Sequence, residues 1–272
     1  MRESISRRTF AAMAASAATV PLAGCQSDGS GNGNGDGGGN GESSGDGDAP
    51  IEYDGDASVA FGTPEDGATA ANGVTVSMTA ENFTIESSGE VNENSGHFHI
   101  VIDEGPVETG ETIPNDDSHL HYGDGSTRTV LDLEPGTHEL TLQVGDGKHR
   151  ALPLTDTVEV TVEEASVSFG APEDGATVES PVAAEFEASD SATVEQAGEL
   201  SQTGGHFHVM VDTEAVEVGE AIPNDDSHLH FGDGSTSAEL ELESGEHDLL
   251  LQMGDGEHLA LPATDEITVT VE

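Results

Sequence analysis

Residues 96–103 read GHFHIVID, and the pattern returns at residues 205–212 as GHFHVMVD. In the first stretch, apolar side chains alternate with His97 and His99, which is the period of two of a β-strand whose faces have different surroundings. The stretch therefore predicts a strand that sends apolar side chains into a core. Its opposite face carries a pair of imidazoles.

This strand belongs to a duplication, because residues 96–163 return without a gap as residues 205–272. Period-two alternation continues through both copies, Gly, Pro and Asp-Gly clusters interrupt it, and no convincing helical period appears. Six or seven short strands in about 105 residues predict an all-β fold of two tandem antiparallel β-sandwich domains, immunoglobulin-like in size, with a small β-barrel as the alternative. We place repeat 1 at residues 56–164 and repeat 2 at residues 165–272.

The composition excludes several classes of protein. The 272 residues include 55 Asp and Glu against 6 Lys and Arg, for a net charge of -49, with one Cys and no Trp. Such a surface repels nucleic acid, and one Cys cannot form an internal disulfide. No apolar run reaches the roughly 20 residues of a membrane span. We interpret the acidity as a halophilic, haloarchaeal-type surface, on which concentrated salt screens the self-repulsion.

The N-terminus resembles an export signal. Arg7 and Arg8 precede an Ala-rich apolar stretch that ends in Leu-Ala-Gly-Cys at Cys25. Residues 1–24 are predicted to be a twin-arginine lipoprotein signal peptide, with a lipid attached to Cys25; a short helix with an incidental Cys is the alternative. Residues 25–55, rich in Gly, Ser and Asp, are predicted to be a disordered linker. The expected location is the extracellular face of the cell membrane.

The twelve histidines divide equally between the copies and recur at one offset. In each copy two His-x-His pairs place imidazoles on one strand face, and adjacent strands would gather four of them. Imidazole ligands suit Cu(II), Zn or Ni, so we predict a candidate Cu or Zn site in each repeat. The predicted ligands are His97, His99, His119, His121, His206, His208, His228 and His230. Strand parity offers carboxylates to hold their tautomers: Asp103, Asp117, Asp212 and Asp226.

Other interpretations of the histidines remain open. They could be polar strand residues without a ligand, or pH sensors whose cationic form neighbouring carboxylates favour. His138 shares parity with core residues, which favours a role at the core edge. His149 lies in a Gly-Asp-Gly turn and is either an outer contributor to the site or a solvated residue.

The stretches GHFHIVID, DDSHLHYGDGST and GTHELTLQVGDGKH resemble the small secreted family catalogued as domain of unknown function 4399. The resemblance covers residues 61–163 and 169–272, and it implies no activity. Many members have three consecutive His where this chain has His-Phe-His.

Three functional hypotheses follow. The favoured one is a lipid-anchored, cell-surface metal-binding protein that contacts the membrane through Cys25 and has an unknown surface partner. The alternative is a structural or interaction module without metal. An enzyme is not expected, because the sequence contains no nucleophile elbow, HExxH motif or phosphate loop.

Overall fold

A computed structural model of the chain describes residue 53 and residues 55–272. The predicted signal peptide, Cys25 and nearly all of the predicted linker lie outside the described residues. Within that part every regular element is a β-strand, so the predicted all-β class is confirmed. A helix long and apolar enough to cross a membrane is absent from these residues.

Each copy contains nine strands. Strands β1 to β9 are Ser58–Thr63, Ala68–Ala71, Val74–Glu81, Thr84–Ile85, Ser95–Ile102, His119–Tyr122, Arg128–Leu131, Gly136–Gly145 and Ala151–Glu163. Strands β10 to β18 are Val167–Ala171, Ala176–Val178, Val182–Ala188, Thr193–Val194, Gly204–Val211, His228–Phe231, Ser237–Leu240, Gly245–Gly254 and Ala260–Val271.

The strands of each copy form two packed sheets. In repeat 1 the smaller sheet has the order β1-β3-β7 and the larger has the order β2-β9-β8-β5-β4, with β6 added beside β5. Repeat 2 has the same arrangement, β10-β12-β16 and β11-β18-β17-β14-β13, with β15 beside β14. Val76 and Met78 of the smaller sheet share one core with Phe98 and Leu142 of the larger. This is the predicted sandwich.

Strand β5 is buried on both faces, which the alternating pattern did not predict. Its core face carries Phe98, whereas His97 and His99 on the outer face are only 0% and 1% exposed. The chain between β5 and β6 covers this outer face. The side-chain amide of Gln143 donates to the carbonyl of Val107 at 2.8 Å and accepts its N–H at 2.8 Å. The covering segment thereby shields the imidazoles of His97 and His99 from solvent.

The two repeats contact each other. The N–H of Ala71 donates to the carbonyl of Gln202 at 2.8 Å, and the Gln202 amide donates to the carbonyl of Thr75 at 2.7 Å. On the other side of this junction, the N–H of Ala263 donates to Oδ1 of Asn72 at 2.6 Å. Residues from both copies therefore satisfy each other's polar groups.

Candidate metal centre

Four imidazoles converge at one end of the larger sheet in repeat 1. β5 provides His97 and His99, β6 pairs His121 with His99, and the turn after β8 provides His149. Their ring centroids lie 4.7 to 5.9 Å apart. The Nε2 atoms of His97 and His99 are 3.0 Å apart, and those of His121 and His149 are 3.1 Å apart. These four residues are the His cluster of repeat 1.

Repeat 2 contains the same arrangement, formed by His206, His208, His230 and His258. Their ring centroids lie 4.8 to 5.8 Å apart. The Nε2 atoms of the first two are 3.0 Å apart, and those of the last two are 3.2 Å apart. These residues are the His cluster of repeat 2.

The spacing of the nitrogens fits one ion per cluster. In repeat 1, one ring nitrogen each of His97, His99 and His121 lies within 4.8 Å of the other two, and the equivalent trio does so in repeat 2. Four nitrogens bound tetrahedrally to zinc at about 2.0–2.1 Å lie about 3.3–3.4 Å apart. The short pairs are close to that separation. These three imidazoles are grouped closely enough to be candidate ligands of one ion, and His149 lies beside His121 outside that trio.

Glycines make room for the rings. A Cβ added at Gly145 would lie 2.8 Å from Nε2 of His99, and one at Gly123 would overlap the ring of His121. In repeat 2 a Cβ at Gly232 would overlap the ring of His230 in the same way. These positions form a cradle that a larger residue would fill.

Burial favours the neutral form of the two cluster imidazoles on the central strand of each larger sheet. Burial, followed by the neighbouring His121 and His149, lowers the pKa of His97 to about 4. Burial and the adjacent imidazoles lower the pKa of His99 to about 3. His206 and His208 show the same shifts for the same causes, to a pKa of about 4 and about 3. Neutral imidazole is the form that binds a metal, so protons compete weakly at neutral pH.

In each cluster the two imidazoles of the central strand pair through Nε2 and leave their Nδ1 atoms unpaired. When two neutral rings share one proton between their Nε2 atoms, the accepting ring carries its own proton on Nδ1. The Nδ1 atoms of His97 and His99 are buried and have no hydrogen-bond partner, and the same holds for His206 and His208.

The structure leaves the predicted ligands His119 and His228 outside the converging sets. β6 pairs His119 with Val101, at the opposite end of the strand from the cluster. Its Nδ1 lies 2.8 Å from Oδ1 of Asp116, and Nδ1 of His228 lies 2.7 Å from Oδ1 of Asp225. The register of β6 against β5, and of β15 against β14, places these two imidazoles away from the cluster imidazoles. The sequence does not show this register.

The carboxylates predicted to hold the tautomers contact other groups. Oδ2 of Asp103 lies 2.8 Å from Nδ1 of His138, and Asp212 makes the equivalent contact with His247 at 2.8 Å. At His119 and His228 the contacting acids are the residues that precede the predicted Asp117 and Asp226. His138, near the start of β8, is largely covered, and its Nε2 also lies 2.8 Å from the carbonyl oxygen of Glu134.

His149 and His258 complete the clusters, although strand parity could not place them because both lie in turns. Each has a left-handed backbone, with φ of 65° and 71°. A signal was present in the duplication: both histidines are retained although the neighbouring Lys148 and Arg150 are Glu257 and Leu259 in repeat 2.

The fold and these clusters define a tandem of two β-sandwich domains, each with four convergent imidazoles. The chain belongs to the family described as Domain of unknown function (DUF4399), which matches residues 76–163 and 184–272. The predicted tandem of these domains is thereby confirmed.

Comparison with known proteins adds no function. No curated protein matches the chain. Among solved structures, fibronectin(III)-like modules of Clostridium thermocellum CbhA are 15% identical with a TM-score of 0.26, covering 79% of this chain and 94% of that one. The C-terminal domain of the Streptococcus agalactiae AgI/II polypeptide BspA is 9% identical with a TM-score of 0.27, covering 79% and 99%. Similarity at this level carries no argument about activity.

Proposed function

We propose that each repeat binds one transition-metal ion, Cu(II) or Zn, and that the chain displays these two sites at the cell surface. The observation that carries this proposal is the convergence of ring nitrogens in both copies. Nitrogen ligands of intermediate softness favour copper and zinc over calcium and magnesium. Each trio has a further imidazole next to it, that of His149 or His258, whose Nε2 lies 3.1 or 3.2 Å from the Nε2 of His121 or His230.

The cluster of repeat 2 borders a cavity through which an ion can enter. The cavity has a volume of about 330 Å³ and is lined by His208, His230 and His258 together with Ile222, Pro223 and Asn224. An entry path, a sufficient number of ligands and suitable spacing are the features expected of a metal site.

Calorimetric titration of the chain with Zn or Cu(II) in molar salt tests the proposal. A Cys25→Ser background prevents a lone thiol from taking up the ion, and a large excess of Mg²⁺ occupies carboxylates. We expect two ions per chain, and nitrogen hyperfine coupling in the Cu(II) electron paramagnetic resonance spectrum. Metal at 100 times its Kd should stabilise each domain by about 2.7 kcal/mol.

The matched variants differ only in which imidazoles they remove. The variant His99→Ala with His121→Ala, combined with the same changes at His208 and His230, should lose both ions. The control His138→Ala with His247→Ala removes one imidazole per repeat outside the clusters and should keep them. Equal metal uptake by the two variants, or none by the parent, would contradict the proposal.

We also propose that the chain is exported, lipid-anchored through Cys25 and located on the extracellular face of the membrane of a halophile, where its surface partner is unknown. The twin arginines and the Leu-Ala-Gly-Cys sequence support this. Cys25→Ser should release the protein into the medium, and Arg7→Lys with Arg8→Lys should retain it inside the cell. Fractionation with an antibody measures both, and membrane retention of the Cys25→Ser protein would contradict the lipid anchor.

A further inference from the structure

In repeat 1 a buried aspartate closes the loop that carries His149. Asp146 is 0% exposed, and its Oδ1 accepts the backbone N–H groups of Lys148 at 2.8 Å and Arg150 at 3.0 Å. Its Oδ2 accepts Nε of Arg150 at 2.7 Å and lies 2.6 Å from a second nitrogen of the same guanidinium. The loop itself supplies hydrogen-bond donors to both carboxylate oxygens. His149 lies between the two bonded amides and has a left-handed backbone.

Repeat 2 lacks half of this arrangement. Asp255 is 1% exposed, and its Oδ1 accepts the N–H groups of Glu257 at 2.8 Å and Leu259 at 2.9 Å. Leu259 stands where repeat 1 has its arginine, and Oδ2 of Asp255 has no hydrogen-bond partner. An unpaired carboxylate this deeply buried is strongly destabilising.

The missing cation comes from the other repeat. Arg128, on β7 of repeat 1, places Nη2 3.5 Å from Oδ2 of Asp255, and its Nη1 contacts the carboxylate of Glu257. The guanidinium is largely covered, so solvent screens the pair weakly. Its counterpart in repeat 2 is Ser237.

We propose that Arg128 is a positioning residue for the metal site of repeat 2, so that this site is complete only when repeat 1 lies against it. The positive charge of the guanidinium offsets the buried negative charge of Asp255. Asp255 accepts the loop amides, and the loop places His258 beside the other imidazoles. The metal readout of this inference rests on the proposed function. The geometry is independent of it, because the loop contacts exist without an ion.

The test measures Zn affinity at one site at a time in the full chain. His97→Ala with His121→Ala removes two ligands and so abolishes Zn binding in repeat 1. His206→Ala with His230→Ala does the same in repeat 2. Arg128→Ser should weaken Zn binding at the second site by about 10- to 100-fold, the usual effect of losing a group that orients a ligand, and leave the first site unchanged. Lys148→Ser removes one positive charge elsewhere and should leave the second site unchanged.

A second substitution distinguishes loss of the positioning contact from general destabilisation of the domain. Arg128→Ser with Leu259→Arg rebuilds within repeat 2 the pairing found in repeat 1, so it should restore the affinity of the second site. An unchanged second site in Arg128→Ser, an equal loss at both sites, or failure of the rescue in a folded double variant would overturn the proposal.

Hydrogen exchange of the Glu257 and Leu259 amides gives a readout without metal. Exchange of both amides should be faster in Arg128→Ser, and the Glu257 amide should exchange slowly again in the rescued variant. If the parent binds no Zn but the amides respond in this way, the proposed function fails and the positioning role stands. If the amides do not respond, the positioning role fails whatever the metal affinity.

Discussion

Substituting Gly123 with Ala should weaken the metal site of repeat 1 without removing any ligand. The new Cβ would lie roughly 1 Å inside the 3.4 Å at which ordinary contact with the His121 ring begins. Gly123 does not have a positive φ, so alanine fits its backbone, and the clash falls on the His121 ring and the Ser88 hydroxyl rather than on the main chain. Metal–nitrogen distances vary by only about 0.2 Å between sites. A ring displaced by roughly 1 Å therefore cannot bind the ion at its original position.

The assay is Zn titration of the variant with repeat 2 silenced, next to a thermal unfolding scan. Loss of a well-placed ring should lower the affinity by about tenfold or more, the lower end of the effect of disturbing a ligand's orientation. Gly105→Ala is the matched control, because a Cβ there meets nothing within 4 Å and repeat 2 has Glu214 at the equivalent position. An affinity for Gly123→Ala equal to that of the control would refute the assignment of His121 as a ligand.

Further predictions concern stability. Leu142→Ala removes a side chain that is 0% exposed in the first core and should lower the free energy of unfolding by about 2–5 kcal/mol in denaturant titrations. The contact with Asp212 raises the pKa of His247 despite opposing burial, so the pair stabilises the fold below the unfolded pKa of about 6.5 and ceases to do so as pH rises through the folded value. His247→Gln should therefore lower the melting temperature at about pH 5.5 and hardly at about pH 8.5; equal losses would contradict this sign. With a net charge of -49, cooperative unfolding should disappear as the Debye length grows from about 3 Å in molar salt to about 30 Å at 0.01 M, and an unchanged melting curve would count against a halophilic surface.

Alternation along single strands predicted much of the site. The period of two placed His97 and His99 together, and the sheet places them on a shared face opposite Phe98. It could not decide which end of the neighbouring strand meets them, because register depends on pairing across distant segments. That register brings His121 to His99 and leaves His119 with Asp116.

The other features that the sequence did not predict lie in turns and loops. Parity has no meaning in a turn, so the position of His149 depended on a left-handed backbone and on contacts to Asp146. The burial of the outer sheet face depends on a segment held by Gln143, a contact across 36 residues. Neither feature has a local sequence period, and both became visible only with the tertiary fold.

The distribution of positive charge supports treating the two repeats as one functional unit. In the part of the chain that the structure describes, the only arginines are Arg128 and Arg150, against an abundance of acids. Most of those acids face solvent, where salt screens them, and need no specific cation. The two arginines instead contact Asp146 and Asp255, the buried acids beneath the two His-bearing loops. Since repeat 2 has no Lys or Arg of its own, the guanidinium at its loop is that of Arg128 from repeat 1. Separating the repeats should therefore cost the second site more than the first.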